Sequence, residues 1–542
     1  MSGPGPWGVV GALGPSRLHG GTAWVVVVAC AAACVPAGLR WLRVAQREHY
    51  LAGSVARFAG RWWRTTPPNV ALAAVALGAT VVSFWWPIAA VATAGAVAAG
   101  PLGLSVHGRT SALAWTRRLR TLAAVWAALE LVVLAVGALI GPVSIVAAAA
   151  VLAVPLLVDA ACLVTSPLEV RRSSHFVDDA AARLARVAPT VVAVTGSYGK
   201  TSTKGHIVHL VRPSRTIVAT PASFNNRAGL ARAINEHLAD GTEVFVAEMG
   251  TYGPGEIADL CRWCPPDVAV ITAIGPVHLE RFRSEDRIVE SKSEITGPAD
   301  DVVLQVDDPR LAALADRLAS QGKRVVRCSA SDRTADVCVV RSGDGSHLSA
   351  YANGEALAED VELPTGLQPS NLACAIAVAL LVKVDPATIA DRVHDLPGVE
   401  HRLQAVSAVS GATILDDTYN SNPAGASEAL AALAGSAGVG EPVGPNRPGR
   451  LVVVTPGMVE LGSRQFEENR RFGAAAAVVA TDLLIVGRTN RKALLAGVAS
   501  VRGTSVSVRL LRDRNRAVDW VKEHVTAGDT VLYENDLPDH YP

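Results

Sequence analysis

The chain has 542 residues, half of them hydrophobic and only 18% charged, with a formal net charge of +1. That length calls for several domains, and the near-zero charge provides no basic field for a nucleic-acid partner. Eight cysteines are scattered along it, three of them (Cys30, Cys34, Cys162) in apolar stretches, which argues against a secreted disulfide framework.

The averages hide a split. Residues 1–168 are rich in Ala, Val and Trp with almost no acids and read as a membrane domain, whereas residues 173–542 carry the mixed charge of a soluble enzyme. Five stretches, Thr22–Leu39, Asn69–Trp86, Ile88–Val106, Thr121–Ile140 and Val143–Val164, are apolar and about long enough to cross a bilayer core. Pro87 and Gly141-Pro142 join the second to the third and the fourth to the fifth, so both pairs read as tight helical hairpins. The loop after the first stretch carries Arg40, Arg43, Arg47, Arg57, Arg61 and Arg64, and the loop after the third carries Arg109, Arg117, Arg118 and Arg120. Arg171 and Arg172 follow the fifth, and the hairpin turns carry no Lys or Arg. The positive-inside tendency then puts the N-terminus outside and everything beyond about Arg171 in the cytoplasm, as expected of a multi-pass protein of the cytoplasmic membrane. A cleaved signal peptide is the competing reading of the first stretch. Asp159, inside the last one, is expected to snorkel or to pair with an arginine.

From Ser173 onward, short β-branched runs alternate with amphipathic helices. Strands are predicted at Thr190–Thr195, Glu243–Ala247, Val268–Ile274, Val302–Val306, Val325–Cys328, Ala412–Asp416, Leu451–Thr455 and Leu483–Val486. The alternation argues for α/β domains with largely parallel sheets, and Gly435–Gly449 reads as a surface loop. Cys261 and Cys264 form a Cys-x-x-Cys, but Cys328 and Cys338 are not arranged as a zinc knuckle, so a partly buried helix end is the expectation there.

The strongest local signal is the run from Val191 to Ser202, in which an apolar strand enters a glycine turn and then a helix. Gly196 and Gly199 let backbone N–H groups of Ser197, Tyr198 and their neighbours approach phosphate oxygens. Lys200 can neutralise the β/γ charge, and Thr201, followed by Ser202, can ligate Mg²⁺ at the helix N-terminus. Val194 stands where the usual loop has its first glycine, so this is a shortened variant.

Thr195–Lys204, reading Thr-Gly-Ser-x-Gly-Lys-Thr-x-Thr-Lys, resembles the ATP loop of the Mur ligase superfamily. Further landmarks follow in that family's order. Thr220-Pro221-Ala222-Ser223-Phe224-Asn225-Asn226 resembles the segment that approaches the acceptor, and Glu248-Met249-Gly250 resembles the acidic metal-binding turn. Ile271–Glu280 resembles the strand end with its metal-binding histidine, His278, and Ser291–Ile295 resembles the helix of the carbamoylated lysine, Lys292. Asp416–Pro423 and Pro456–Gly462 look closest to the UDP-N-acetylmuramoyl-tripeptide–D-alanyl-D-alanine ligase branch.

The resemblance implies ATP and Mg²⁺ as cofactors and a reaction in which a carboxylate is phosphorylated and an amine then displaces phosphate. Glu248 and Thr201 would hold one Mg²⁺, and His278 and carbamoylated Lys292 would help hold a second. Asn371 resembles the adenine-reading asparagine, Arg402 the linker arginine that reaches the phosphates, and Asp417 a ribose or hinge contact. Asn225, Asn226, Tyr419 and Asn420 would lie near the substrate. It implies a P-loop-type central ATP-binding domain with a parallel sheet (173–398) and a Rossmann-like C-terminal domain (399–542), behind the α-helical membrane domain.

Two departures bear on the substrate. Membrane spans occupy the place of the family's UDP-gripping N-terminal domain, and Gly528–Pro542 lacks the Lys-Gly-Ser-Arg run expected of that branch, with Asn535 and two acids instead. The expected partners are therefore an amino acid or dipeptide amine and a carboxylate acceptor that is lipid-linked or polymeric, such as a cell-wall precursor. A γ-glutamyl-type poly-amino-acid synthetase and a membrane transport ATPase remain the alternatives.

Overall fold

The structure, a computed structural model, describes residues 20–106, 113–140, 143–221, 224–277, 279–343, 345–364, 366–397, 404–418, 422–436, 449–537 and 540–541. It divides into two compact units, Met1–Arg172 together with Leu537–Pro542, and Ser173–Asp536. The last six residues thus group with the N-terminal helices and not with the C-terminal domain in which the sequence alone had placed them.

The first unit contains helices α1 (Gly20–Arg47), α2 (Ser54–Thr65), α3 (Pro67–Val82), α4 (Ala89–Ala99), α5 (Arg117–Ile140) and the first part of α6 (Val143–Val187). Among the described residues, three helices are long and apolar enough to cross a membrane, or up to four if α2 and α3, bent by 113°, make one span. The second and third expected spans are the 16-residue α3 and the 11-residue α4. At ~1.5 Å per residue, α4 covers about half of a ~30 Å hydrocarbon core. Hydropathy merged helix and loop there: α3 gives way to turns before Pro87, and α4 stops at Gly100 before Pro101.

The arginine-rich segment expected as a loop is in large part the amphipathic α2, which buries Val55, Phe58, Ala59 and Trp62 while Arg57 and Arg64 stay exposed. Arg40 donates to the carbonyls of Val97, Ala98 and Gly100 at the end of α4. A guanidinium suits a helix C-terminus, where carbonyls lack intrahelical partners. Asp159 neither snorkels nor needs an arginine hydrogen bond to explain it: its carboxylate accepts the N–H groups of Val55 (3.2 Å) and Ala56 (2.8 Å) in the first turn of α2. Asp159→Ala is therefore expected to cost about 1–2 kcal/mol, the scale of a lost N-cap. Faster tryptic cleavage at Arg57 and Arg61 would report it, and unchanged protection would contradict it. The returning C-terminal segment packs within this same unit. Trp62 Nε1 donates to the carbonyl of His540 at 2.7 Å, His540 Nε2 lies 2.9 Å from Glu48 Oε1, and the Phe58 ring meets both His540 and Tyr541 edge-on.

The second unit is built on two sheets. The first comprises β1 (Thr190–Thr195), β2 (Ile217–Ala219), β3 (Val244–Glu248), β4 (Val268–Ile271), β5 (Asp301–Gln305), β6 (Arg324–Ser329), β7 (Val337–Arg341), β8 (His347–Ala352) and β9 (Glu355–Glu362). Its order is β2-β3-β1-β4-β5-β6-β7-β8-β9, parallel as far as β7 and antiparallel beyond. The second comprises β10 (Gln404–Ser407), β11 (Thr413–Asp417), β12 (Leu451–Thr455), β13 (Asp482–Val486), β14 (Ser507–Leu511) and β15 (Thr530–Glu534), in the order β10-β11-β15-β12-β13-β14, with only β10 antiparallel.

β1 shows why these strands are continuous apolar runs. Val191 and Ala193 enter one core with Leu230, Ile234 and Leu260, while Val192 and Val194 enter another with Ile207, Leu210 and Ile376. Alternate residues face opposite sides of a strand, and a parallel sheet is covered by helices on both. Lying between β3 and β4, β1 brings the residue after its own end, Gly196, to the same edge as Glu248 and Thr272. Ligands of open α/β sheets gather at that carboxyl edge.

Candidate active site

β1 runs into Gly196, and the helix Lys200–Val211 begins four residues later. Gly199, just before that helix, has φ 79°, in the left-handed region, and a Cβ there would collide with the Asn371 side chain. A Cβ on Gly196 would strike Thr272 Oγ1, so both glycines are required by close approach. Ser197 is pinned at both ends, its N–H donating to Ala273 O (2.7 Å) and its hydroxyl to Gly275 O (3.1 Å). Thr272 Oγ1 donates to Tyr198 O, and Lys200 Nζ donates to Gly196 O at 2.8 Å. Ser202 is buried in the first turn of the helix. A glycine turn held this firmly ahead of a helix N-terminus is an anion site.

Glu248, the last residue of β3 and 1% exposed, forms the second part of the site. Its Oε2 accepts from Thr201 Oγ1 (2.9 Å) and Lys204 Nζ (3.0 Å), and its Oε1 accepts from Asn225 Nδ2 (3.1 Å). The position of Lys204, four residues after Lys200 in the same helix, is the sequence signal for it, since that spacing sets both lysines on one helix face. Among the described residues, no three or more His, Cys, Asp or Glu side chains converge as a metal cage. Glu248 with Thr201 is instead the sparse oxygen set that suits Mg²⁺ shared with substrate phosphates. The Lys204 ammonium on Glu248 marks the place as one that calls for positive charge.

Lys292 is the third part. It is 4% exposed and donates from Nζ to Gly196 O at 3.0 Å, the same carbonyl that takes Lys200. Burial, and then the neighbouring Lys200 charge, lower its pKa well below the usual lysine value. A neutral amine is the form that reacts with CO₂, and a carbamate would replace the repulsion with an attraction.

Asn371 is buried near the start of the helix Pro369–Leu381, against the phosphate loop at Gly199. One turn away is a cavity of about 460 Å³ lined by Ser331, Arg341, Gln368, Pro369 and Ser370, with Glu428 from the second sheet's domain. Gln368 donates to Glu428 across it, and Arg341 lies 3.6 Å from Glu428. Asp417, 8% exposed, ends β11 opposite Glu534 of β15. The residues that depart from the family's C-terminal run are structurally committed. Glu534 accepts from Thr455 Oγ1 (2.6 Å), Asn535 at φ 66° donates from Nδ2 to Gly457 O (2.7 Å), and Asp536 pairs with Arg514.

The other expected site residues fall out differently. Asn226 caps the helix Arg227–His237, its Oδ1 accepting from Gly229 N at 3.0 Å. His278, Arg402, Tyr419 and Asn420 lie outside the described residues. Cys261 and Cys264 are buried, and burial pushes the Cys261 thiol up to about 12.

Missing from the sequence reading was a contact between the two sheet domains. Leu279 N donates to Glu460 O at 2.9 Å. The Glu285 carboxylate takes hydrogen bonds from both Arg310 and Arg464. Burial alone would raise the Glu285 pKa, but those two hydrogen bonds outweigh it and the net shift is downward.

A parallel sheet that delivers a phosphate loop to its carboxyl edge, beside a buried carboxylate and a buried lysine, defines a nucleotide-using α/β enzyme. Residues 194–379 match the Mur ligase middle domain, and residues 401–533 match the Mur ligase, glutamate ligase domain. The chain belongs to the Mur ligase family and is an ADP-forming, ATP-dependent amide ligase. It is 30% identical over 373 residues to the UDP-N-acetylmuramoyl-tripeptide–D-alanyl-D-alanine ligase of Mycobacterium tuberculosis, covering 65% of this chain and 71% of that one. It is also 30% identical over 358 residues to a UDP-N-acetylmuramate–L-alanine ligase of a Mycobacterium species, covering 63% and 70%. The MurF ligase of Thermotoga maritima, solved in complex with ADP, superposes with a TM-score of 0.55 at 26% identity, covering 67% of this chain and 80% of that one.

Proposed function

We propose that this ligase works at the cytoplasmic face of a membrane, joining an amine to the carboxylate of a cell-wall precursor or related envelope polymer through an acyl phosphate. The observation that carries the reading is the meeting of Lys292, Lys200 and Gly196 at one carbonyl, with the Glu248–Thr201 pair on the same sheet edge. The phosphate loop and Lys200 would hold ATP, and phosphoryl transfer depends mainly on such positioning and charge neutralisation. Mg²⁺, when held by Thr201 and Glu248, with carbamoylated Lys292 and His278 serving a second ion, would supply neutralisation of the charge on the transferred group. The acceptor carboxylate attacks the γ-phosphorus of ATP and ADP leaves. The amine then adds to the acyl carbon, phosphate leaves, and a proton is released. Asn225 steadies the carboxylate of Glu248.

Asn371 and the adjoining cavity suit the nucleoside, with Arg402 and Asp417 contributing from the C-terminal side. Asn371→Ala is expected to raise KM for ATP about tenfold, one hydrogen bond's worth, with little change in kcat. An unchanged KM would remove Asn371 from the nucleotide site.

The membrane assignment rests on the apolar helices that precede residue 194, where the family match begins. Exposed Trp24, Trp85, Trp86 and Trp115 lie near helix ends, as interfacial aromatics do. A ligase built this way suits a lipid-linked or polymeric acceptor, with an amino acid or dipeptide as the amine. The mechanism is tested with an acceptor labelled with ¹⁸O in its carboxylate. An acyl phosphate carries one label into the released phosphate, whereas unlabelled phosphate from a productive turnover contradicts the mechanism.

A further inference from the structure

We infer that Arg464 is a positioning residue that makes seating of the C-terminal domain a condition for a correctly placed Lys292. The inference rests on the ligase reading above. Besides Glu428, which reaches Gln368, the segment after β12 brings the C-terminal domain against the central one. Glu460, at φ 65°, offers its carbonyl to Leu279 N at 2.9 Å, one residue past His278. A non-glycine residue in the left-handed region is retained where the surroundings over-determine it.

Two residues past the Gly462 start of the next 3₁₀ turn, Arg464 divides its guanidinium between two carboxylates, Glu285 of the central domain and Glu468 of its own. A planar fork is suited to holding both. Glu285 opens the helix Glu285–Ser293, and Lys292 stands near that helix's other end with its ammonium on the phosphate loop. A helix of nine residues transmits a shift at one end to the other as a rigid body. Arg310 grips the same Glu285 carboxylate from within the central domain, so Arg464 adds the contact that depends on the C-terminal domain.

A second connection runs through Tyr198. Its ring fills the space where a side chain on Gly275 would stand, and its buried hydroxyl has no hydrogen-bond partner among the described residues. Burial first, and then the Glu285 and Glu468 carboxylates, raise its phenol pKa against the opposing Arg464 and Arg310. The phosphate loop thus lies within electrostatic reach of the interdomain cluster. With Arg464 in place, the cluster beside the loop is compensated and the Lys292 helix is held. Without it, Glu285 keeps only Arg310, and the site can form acyl phosphate in a geometry open to water.

The test uses full-length protein in detergent, comparing Arg464→Met, Arg464→Lys and Glu285→Gln with the parent. For each, phosphate release without amide is measured against amide formed. The expected result is a ratio raised about tenfold in Arg464→Met and Glu285→Gln, through water entering an imperfectly closed site. Arg464→Lys, which can reach one carboxylate but not fork between two, is expected to fall between. A parent-like ratio in both, or a proportional loss of both activities, overturns the proposal. Hydrogen exchange at the Leu279 amide gives a readout independent of turnover. It is expected to speed up in Arg464→Met, and unchanged exchange counts equally against the clamp. A parent that releases no ADP in response to any amine defeats the ligase reading, and the exchange measurement still decides the clamp.

Discussion

Lys292→Ala is expected to lower amide formation by about 10²–10³-fold, the scale of removing one preorganised charge-stabilising group. A short-chain carboxylate is expected to restore part of the loss by standing in for the carbamate. The reason lies in the surroundings of the side chain: buried, on the Gly196 carbonyl, next to Lys200. As an ammonium it would set a second positive charge beside Lys200, whereas as a carbamate it would be an anion able to ligate metal. The same environment has a pH signature. The folded-state pKa is lowered from 10.5, so between that lowered value and the unfolded value the unfolded chain binds the extra proton. Stability of the unmodified protein therefore rises with pH across that window and is lost as pH falls through it. Lys292→Met removes this slope and is expected to be the more stable protein at the acidic side of the window, though inactive. Equal slopes in thermal unfolding across pH for parent and variant would contradict the assignment.

Glu248→Ala is expected to have the other large effect, on activity and stability together. Activity is expected to fall about a thousandfold, because the carboxylate that would hold the metal is gone. Stability is expected to fall by about 3–5 kcal/mol, because breaking a buried ion pair from one side is costly and Lys204, itself only 7% exposed, loses the carboxylate it meets at 3.0 Å. The pair can be separated. Adding Lys204→Met to Glu248→Ala is expected to recover most of the stability and none of the activity. Two additive losses would mean that the 3.0 Å contact carries little coupling.

Much of the catalytic unit is legible in the sequence because its signals are local. The run Val191–Val194 is apolar at every position, as a strand buried on both faces requires, and Gly196 and Gly199 stand where the backbone must approach other groups closely. Glu248 and Lys292 became interpretable through their order relative to that loop, and the fold does bring both to the same sheet edge. What the sequence concealed is long-range. Nothing local says that Arg464 reaches Glu285, 179 positions away, or that Glu428 closes a cavity with Gln368. Short edge strands such as β2 and the hairpin strands β8 and β9 owe their existence to neighbours rather than to periodicity.

In the N-terminal unit the hydropathy profile found the apolar stretches and misjudged where helices break. Length of apolar run says nothing of the turns before Pro87, or of a carboxylate such as Asp159 that caps a helix 103 positions away. Nor does a count of arginines pick out one, like Arg40, that satisfies the end of α4.

Substrate-dependent ADP release by the purified full-length protein in detergent separates bond formation from simple hydrolysis. Single amino acids and D-Ala-D-Ala would be crossed with UDP-muramoyl peptides, lipid-linked precursors and glutamate oligomers. Release is expected to require one amine and one acceptor together, with a lipid-linked or polymeric acceptor preferred over the UDP-linked one. Steady ADP release indifferent to every amine and acceptor would contradict that expectation and identify a membrane ATPase that drives movement instead of bond formation.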